Sequence, residues 1–463
     1  MTPWRPPADP GRQDHSMQWS QEMGVPILPA GGPVAAVGTL LQSSMRLERE
    51  QWLPAAELAA RRLTRLRQTL QRAGATRYYG AALRDAGLDP RTMQLADLER
   101  MPLLDRQVIA RHGIDAFLSV PAQGLVNVFT SGSTGTPGRF LRSKIEEADY
   151  SARWWRVYAA YGCSVWDAQV NVAIVDKPDR PGAITMLRRM GVLPRVERIA
   201  SDAPPDRVLE RVRATHPPIL TGYAGAIEAL ADHVIATGAQ IEPPRAVFCT
   251  AMEVTDRCLQ LAEQAFRAPA VDVYVTNEFG VLAWSCPVRR DLLHVNDDAF
   301  VVEILGPDGR PVPPGTLGEL VITSLGLTSM PLIRYRMGDM AAGVEGRCAC
   351  GRGLSLLSRV HGRTAHAIRR TSGALITTPF VTSLFGRAHA HEWVRGFQVR
   401  EEPGRRLRFL LNVRRPPSEG QRSALTLSVE SAVGQDFEIA FEVVDRIPAA
   451  PSGKLQFLVP LAS

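Results

Sequence analysis

From Pro217 to Thr276 the chain alternates between two rhythms. "PPILTGY" is strand-like. "AGAIEALADHVIATG" has helical spacing and ends on Gly238. "RAVFCTA" is strand-like again, "TDRCLQLAEQAFRA" is helical, and "AVDVYVT" returns to a strand. Alternation this tight predicts a parallel sheet, because parallel neighbours need a long crossing connection and a helix supplies it. In such sheets ligands bind beyond the carboxyl ends of the strands. The residues at the end of the last strand, "YVTNEFG", are therefore the first place to look for chemistry.

The flanks read differently. Residues 45–115 are mostly helical in pattern. In "AFVVEILGPDGRPVPPGTLGELVITSL" two alternating runs are joined by Gly and Pro, which predicts a hairpin with a long loop. After residue 362 the pattern is α+β, with "LRFLLNV" and "FEIAFEVV" on either side of a helical "SEGQRSALTLSVESAVG". A chain of 463 residues exceeds one ordinary core. The expected fold is α/β, with a Pro-rich disordered leader at 1–40. A large N-terminal domain with parallel-sheet subdomains and a β-rich part follows at 41–361, then a small α+β domain at 362–463.

Composition narrows the function. No uncharged apolar run reaches the roughly 18 residues of a membrane span, and the leader lacks a signal-peptide core, so a cytoplasmic protein is expected. The net charge is +7, but only Lys144, Lys177 and Lys454 among the 54 basic residues are lysines. The arginines are scattered, as along the helical "ELAARRLTRLRQTLQRAG", and no nucleic-acid motif accompanies them. A lysine kept in so arginine-rich a chain suggests a site that needs a compact, mobile ammonium.

Several constellations carry chemistry. In "FTSGSTGTPGRF" the spacing is not that of a Walker A loop. Its glycines still let the backbone approach a phosphate, and Thr130, Ser131, Ser133 and Thr134 offer hydroxyls beside Gly132 and Gly135. Taken alone, such a loop is more often an ordinary surface loop. Near the end of "AVDVYVT", Tyr274 suits stacking on a purine and Glu278 suits Mg²⁺; a core Tyr and a solvated Glu are the plainer alternative. In "PLIRYRMGDM", Asp339 either closes its Gly turn or accepts two ribose hydroxyls. Cys286 and His294, with seven residues between them, and the Cys348–Cys350 pair supply the ligand types of a closed tetrahedral Zn²⁺ site. Cys163, Cys249 and Cys258 read as small core residues.

Taken in order, "TSGSTGTPG", "YVTNE", "YRMGD", Gly362–Arg363 and "PSGK" at 451–454 resemble the core motifs of the adenylate-forming superfamily. Within it the chain most resembles the phenylacetate–CoA ligase family. The helical lead-in "RYYGAALRDAGLDP…LADLERMPLLDRQVI" carries that likeness, as do Cys286, "LLHVNDD", "MPLIRYRMGD" and "CACGRG". The resemblance covers about residues 45–460.

This resemblance implies that the 130–138 loop, with Thr130 to Gly135, grips the ATP phosphates. Tyr274 would stack on adenine, with Thr276 and Asn277 beside the nucleotide, and Glu278 would bind Mg²⁺. Asp339 would take the ribose hydroxyls, assisted by Arg363. Lys454 would meet the negative charge that builds as a carboxylate attacks the α-phosphate. Some relatives bind zinc where Cys286, His294, Cys348 and Cys350 stand. The C-terminal domain would be mobile, turning about a hinge at Ala365–His366.

The implied activity is activation of a carboxylic acid, expected to be aromatic, followed by transfer to a thiol, either coenzyme A or a carrier-protein phosphopantetheine. Segments around Trp154–Trp155, Tyr223–Ala224, Thr250–Glu253 and Val275–Thr276 are expected to line the acid pocket. A carrier protein and a second copy of the chain are the candidate protein partners; no nucleic acid or membrane is implied. The chain departs from the family at Arg139, Val275, Asn277, Ala365 and His366. Of these Arg139 is a mild change, and the other four leave open a homologue that binds nucleotide or acyl ligand without turnover; transfer to an amine is a separate alternative.

Overall fold

The computed structural model describes residues 33–129, 138–173, 187–194, 196–363, 367–371, 375–448 and 456–461. The leader before residue 33, the loop residues Thr130–Pro137, the hinge residues Ala365 and His366, and Lys454 lie outside the described residues.

The N-terminal third is helical: α1 (Pro33–Glu50), α2 (Ala55–Ala73), α3 (Arg77–Asp85) and α4 (Arg106–His112). Helix α1 begins at Pro33, so residues 33–40, expected in the leader, are helical. Thr76 caps α3 and Asp105 caps α4, each accepting a backbone N–H one turn on. These helices pack on a distant part of the chain. The Tyr79 hydroxyl donates to the Pro331 carbonyl at 3.0 Å and accepts from the Ile333 N–H at 3.1 Å. Arg334, buried, clasps Glu303 and donates to the carbonyls of Glu99 and Met101.

A short hairpin follows, β1 (Val126–Phe129) and β2 (Arg139–Arg142), antiparallel with Phe129 opposite Arg139. Helix α5 (Lys144–Ala160) opens on a capping box between Ser143 and Glu146. Then come β3 (Gln169–Ala173), β4 (Val196–Ala200), α6 (Pro205–Thr215), β5 (Ile219–Tyr223), α7 (Ala224–Thr237), β6 (Ala246–Thr250), α8 (Asp256–Phe266) and β7 (Ala270–Thr276). Strands β4, β3, β5, β6 and β7 are neighbours and parallel, as the alternation predicts. Helix α7 ends where predicted, with Gly238 at φ 62°.

Antiparallel strands extend the same sheet: β8 (Gly280–Ser285), β9 (Leu293–Val295), β10 (Phe300–Leu305), β11 (Leu317–Ser324), β12 (Tyr335–Val344), β13 (Leu356–Leu357) and β14 (His361–Arg363). Strands β10 and β11 form the expected hairpin, Phe300 opposite Ser324. Among the described residues the sheet has twelve strands, with β14 branching from β12. One apolar cluster joins its parallel part to α6–α8, and another joins the antiparallel part to α2–α4.

The C-terminal part has its own core. After the small pair β15 (Ile368–Arg369) and β16 (Leu375–Ile376) come α9 (Thr378–Arg387), β17 (Val394–Glu402), β18 (Arg406–Val413), α10 (Glu419–Val433), β19 (Glu438–Val443) and β20 (Leu458–Val459). The last four strands make a separate sheet, ordered β19-β18-β17-β20. Trp393, Phe385, Phe409 and Val429 are among the residues filling the space between that sheet and its helices. The fold is α/β with a mixed sheet and a separate sheet-rich C-terminal part.

Candidate active site

The carboxyl end of β7 runs directly into a tight turn. Thr276 Oγ1 accepts the Phe279 N–H at 3.2 Å and closes it. Gly280 follows at φ 83°, and a Cβ there would stand 2.5 Å from the Tyr150 ring, so only glycine passes. Arg142, 1% exposed, holds the turn from beneath. It donates to the Glu278 carbonyl at 2.9 Å, to the Asn277 carbonyl, and to Glu147 at 3.1 Å. Burying a guanidinium is costly unless it is paired and hydrogen-bonded, and these three bonds, one of them to a carboxylate, offset that cost. Because Arg142 ends β2, the β1–β2 hairpin is tied to the "TNEF" turn.

Two links join β7 to β12. The Tyr274 hydroxyl donates to Asp339 Oδ2 at 2.7 Å. The Glu278 carboxylate, buried, pairs with Arg106 at 3.1 Å, and Arg106 also hydrogen-bonds the Tyr335 hydroxyl at the start of β12. Asp339 follows Gly338, whose φ of 73° bends the strand, and it stands opposite Arg363 in the β12–β14 pairing. The structure thus brings Tyr274, Thr276, Asn277, Glu278, Asp339 and the backbone of Arg363 to one end of the sheet. Of the two arginines that alternate with apolar residues before Asp339, Arg334 is a buried structural ion pair, and Arg336 pairs with Glu319.

Cys286, His294, Cys348 and Cys350 converge. Their four ligand atoms lie within 4.8 Å of one another. Cys286 Sγ is 3.4 Å from Cys348 Sγ, and Cys350 Sγ is 3.2 Å from His294 Nε2. A sulfur pair that far apart is not a disulfide, whose bond is about 2.05 Å. Tetrahedral zinc with bonds of about 2.3 Å separates its sulfurs by about 3.8 Å, so the set fits such an ion with a small expansion. The hydrogen bond from Cys286 holds Cys350 well below the ordinary thiol range, with His294 adding to it. The cluster ties the end of β8, the middle of β9 and the β12–β13 connection.

Two residues that the sequence did not single out, Arg106 and Arg142, belong to this end of the molecule, as does Glu253, expected there only as the last residue of the pocket-lining Thr250–Glu253 segment. Arg106 and Arg142 position the turn. Glu253, after β6, accepts hydrogen bonds from the Thr378 hydroxyl and the Gly362 N–H. Burial pushes its carboxyl up to about 7, and Asp272 and Asp339 nearby push the same way. In a chain with so many arginines, nothing in their sequence sets Arg106 and Arg142 apart. Glu253 had one signal, its place just past a parallel strand.

No protein-family model matches the chain. The phenylacetate–coenzyme A ligase of Thermus thermophilus is 24% identical over 307 residues, 62% of this chain and 66% of the relative. That of Pseudomonas putida is 33% identical over 114 residues, 24% of this chain and 25% of the relative. Over these stretches the chain is similar to the phenylacetate–CoA ligases. The matched stretches span less than two thirds of either of these relatives. Among solved structures, 2-hydroxyisobutyryl-CoA ligase in its postadenylation state superposes with a TM-score of 0.73 at 20% identity, covering 89% of this chain and 91% of that one. The same ligase gives 0.62 in an open conformation and 0.56 in its thioesterification state, over 90% and 89% of this chain. The fold of that ligase therefore extends over 89% of this chain.

Proposed function

We propose that the chain joins a carboxylic acid to the thiol of coenzyme A through an acyl-adenylate. The convergence of Tyr274, Glu278 and Asp339 at one sheet end, beside the hairpin that carries the Thr130–Pro137 loop, is the observation that carries this reading. An acid oxygen attacks the α-phosphorus of ATP, a carboxyl–phosphate bond forms, and pyrophosphate leaves. The thiol sulfur then attacks the acyl carbon, its proton is lost, and AMP departs.

The residues act mainly by positioning and charge. Asp339 accepts the ribose hydroxyls with Arg363 beside it, Tyr274 covers the adenine, and Thr130–Gly135 surround the phosphates with Thr276 and Asn277. Lys454 neutralises charge as the acid attacks. Magnesium at Glu278 would offset phosphate charge, and zinc on Cys286, His294, Cys348 and Cys350 would brace β12 without taking part in the chemistry. Trp154, partly buried and 5.6 Å from Tyr158, and Val275 stand where an aryl acid is proposed to lie.

Like the solved ligase, the chain is proposed to use two arrangements of its C-terminal part. The higher TM-score with the postadenylation state supports the acid-activating arrangement for the present one. ATP–pyrophosphate exchange across a panel of aryl and alkyl acids tests the first step, with Lys454→Ala alongside. Acid-dependent exchange that falls in the variant is expected; none with any acid, from folded protein that binds ATP, overturns the proposal. Thioester formation on adding coenzyme A, against amide formation on adding an amine, tests the acceptor.

A further inference from the structure

Two described polar contacts cross from the main body to the C-terminal part. The first runs from the Glu253 carboxylate to the Thr378 hydroxyl at the start of α9. The second runs from Asp232 on α7 to Arg414, just past β18, at 2.6 Å. In both, the body supplies the carboxylate and the C-terminal part the donor. A single contact leaves a body free to turn about that point; two separated contacts leave it only the turn about the line that joins them.

Glu253 is built for this place. Ala251, two residues earlier, adopts φ 65°, a left-handed conformation that costs a non-glycine residue about 1 kcal/mol. That turn ends β6 and redirects the chain toward β14. There Glu253 also takes the N–H of Gly362, and a Cβ on Gly362 would come within 3.1 Å of its Oε2. Asp232 is held in turn by Arg257 at 3.4 Å.

We infer that Glu253 and Asp232 are positioning residues that hold the C-terminal part in the acid-activating arrangement and must let go of Thr378 and Arg414 before thiol transfer. This rests on the activity proposed above, and the solved ligase shows that such a chain adopts distinct arrangements. The two carboxylates set how long the protein stays in the first state, and so the balance between the half-reactions.

The test uses the full chain with Thr378→Val and Arg414→Ala, singly and together, with Thr378→Ser and Arg414→Lys as conservative partners. Small-angle scattering and amide hydrogen exchange of residues 361–363, both without ligand, report the arrangement. The ratio of pyrophosphate exchange to single-turnover thioester formation reports the balance. The double variant is expected to change its scattering curve, to exchange faster at Gly362, and to lower the ratio about ten-fold, the worth of one charge-assisted hydrogen bond. The conservative variants are expected to match the parent, which separates a lost contact from a damaged fold. Unchanged scattering and exchange in the double variant overturn the inference. If the parent activates no acid, the activity proposal fails alone, and the two structural readouts still decide this one.

Discussion

The Tyr274 hydroxyl donates to Asp339 Oδ2 at 2.7 Å, so the residue proposed to cover adenine also orients the carboxylate proposed to hold ribose. Tyr274→Phe keeps the ring and removes this bond. A hydrogen bond to a charged group contributes about 1.5–3 kcal/mol. The expected result is a rise of about ten-fold in KM for ATP with kcat little changed. Asp339→Ala should cost far more. Equal, small effects from both would mean that Asp339 does not hold the ribose.

Arg106 and Glu278 make a second testable pair. Glu278 is buried with the guanidinium at 3.1 Å, so the charge it would offer to Mg²⁺ is already neutralised. Removing the arginine leaves a buried carboxylate in need of a cation. Arg106→Gln should therefore lower the Mg²⁺ concentration for half-maximal exchange, by about three- to ten-fold on the scale of a surface-to-buried ion pair. Glu278→Gln should raise it. A metal requirement indifferent to both changes would remove Glu278 from the metal site.

The Cys286, His294, Cys348 and Cys350 cluster predicts about one zinc per chain in purified protein, measurable by elemental analysis. Prolonged chelation or Cys348→Ser should lower the melting temperature. It should also raise KM for ATP, because β12 carries Asp339 and leads into the Cys348 turn. Metal-free protein with an unchanged melting temperature would show the four residues to be mere neighbours.

Asp272 on β7 gives the stability a pH dependence. Burial raises its carboxyl to about 7, with Asp256 adding and Arg359 opposing. The folded chain thus keeps a proton that the unfolded chain releases in the ordinary carboxylate range. This contribution is complete below that range and is lost as pH rises through about 7. Asp272→Asn resembles the protonated form at every pH. Its melting temperature relative to the parent should climb between about pH 4.5 and 8; a relative fall over that interval would show the sign to be wrong.

The parts legible in the sequence were local. Strand–helix alternation is written in the spacing of apolar residues, and the turn after β7 in the order of its motif. Cys286, His294 and the Cys348–Cys350 pair could be grouped by ligand type, although only the sheet register brings His294 to them. Arg106 and Arg142 were not legible, and Glu253 was placed near the acid pocket without its partners Thr378 and Gly362, since each acts through a partner far along the chain. Arg142 and Asn277 are 135 residues apart. Whether an arginine is solvated or buried is a property of what folds over it. The start of α1 at Pro33 was missed for the same reason: Leu40 and Leu47 pack on Ala148 and Ala152 of α5.

The bond between Tyr79 and the 331–333 segment spans more than 250 residues of chain. Synthesis proceeds at about 5–20 residues per second, so the N-terminal helices wait on the order of 10–50 s on the ribosome for the surface that covers them. During that interval Leu66, Leu70, Leu83 and Phe117, all buried in the finished protein, lack their final neighbours. Folding of this region is therefore delayed until the 331–333 segment has emerged, and a holdase that recognises short apolar helices would find its substrate there.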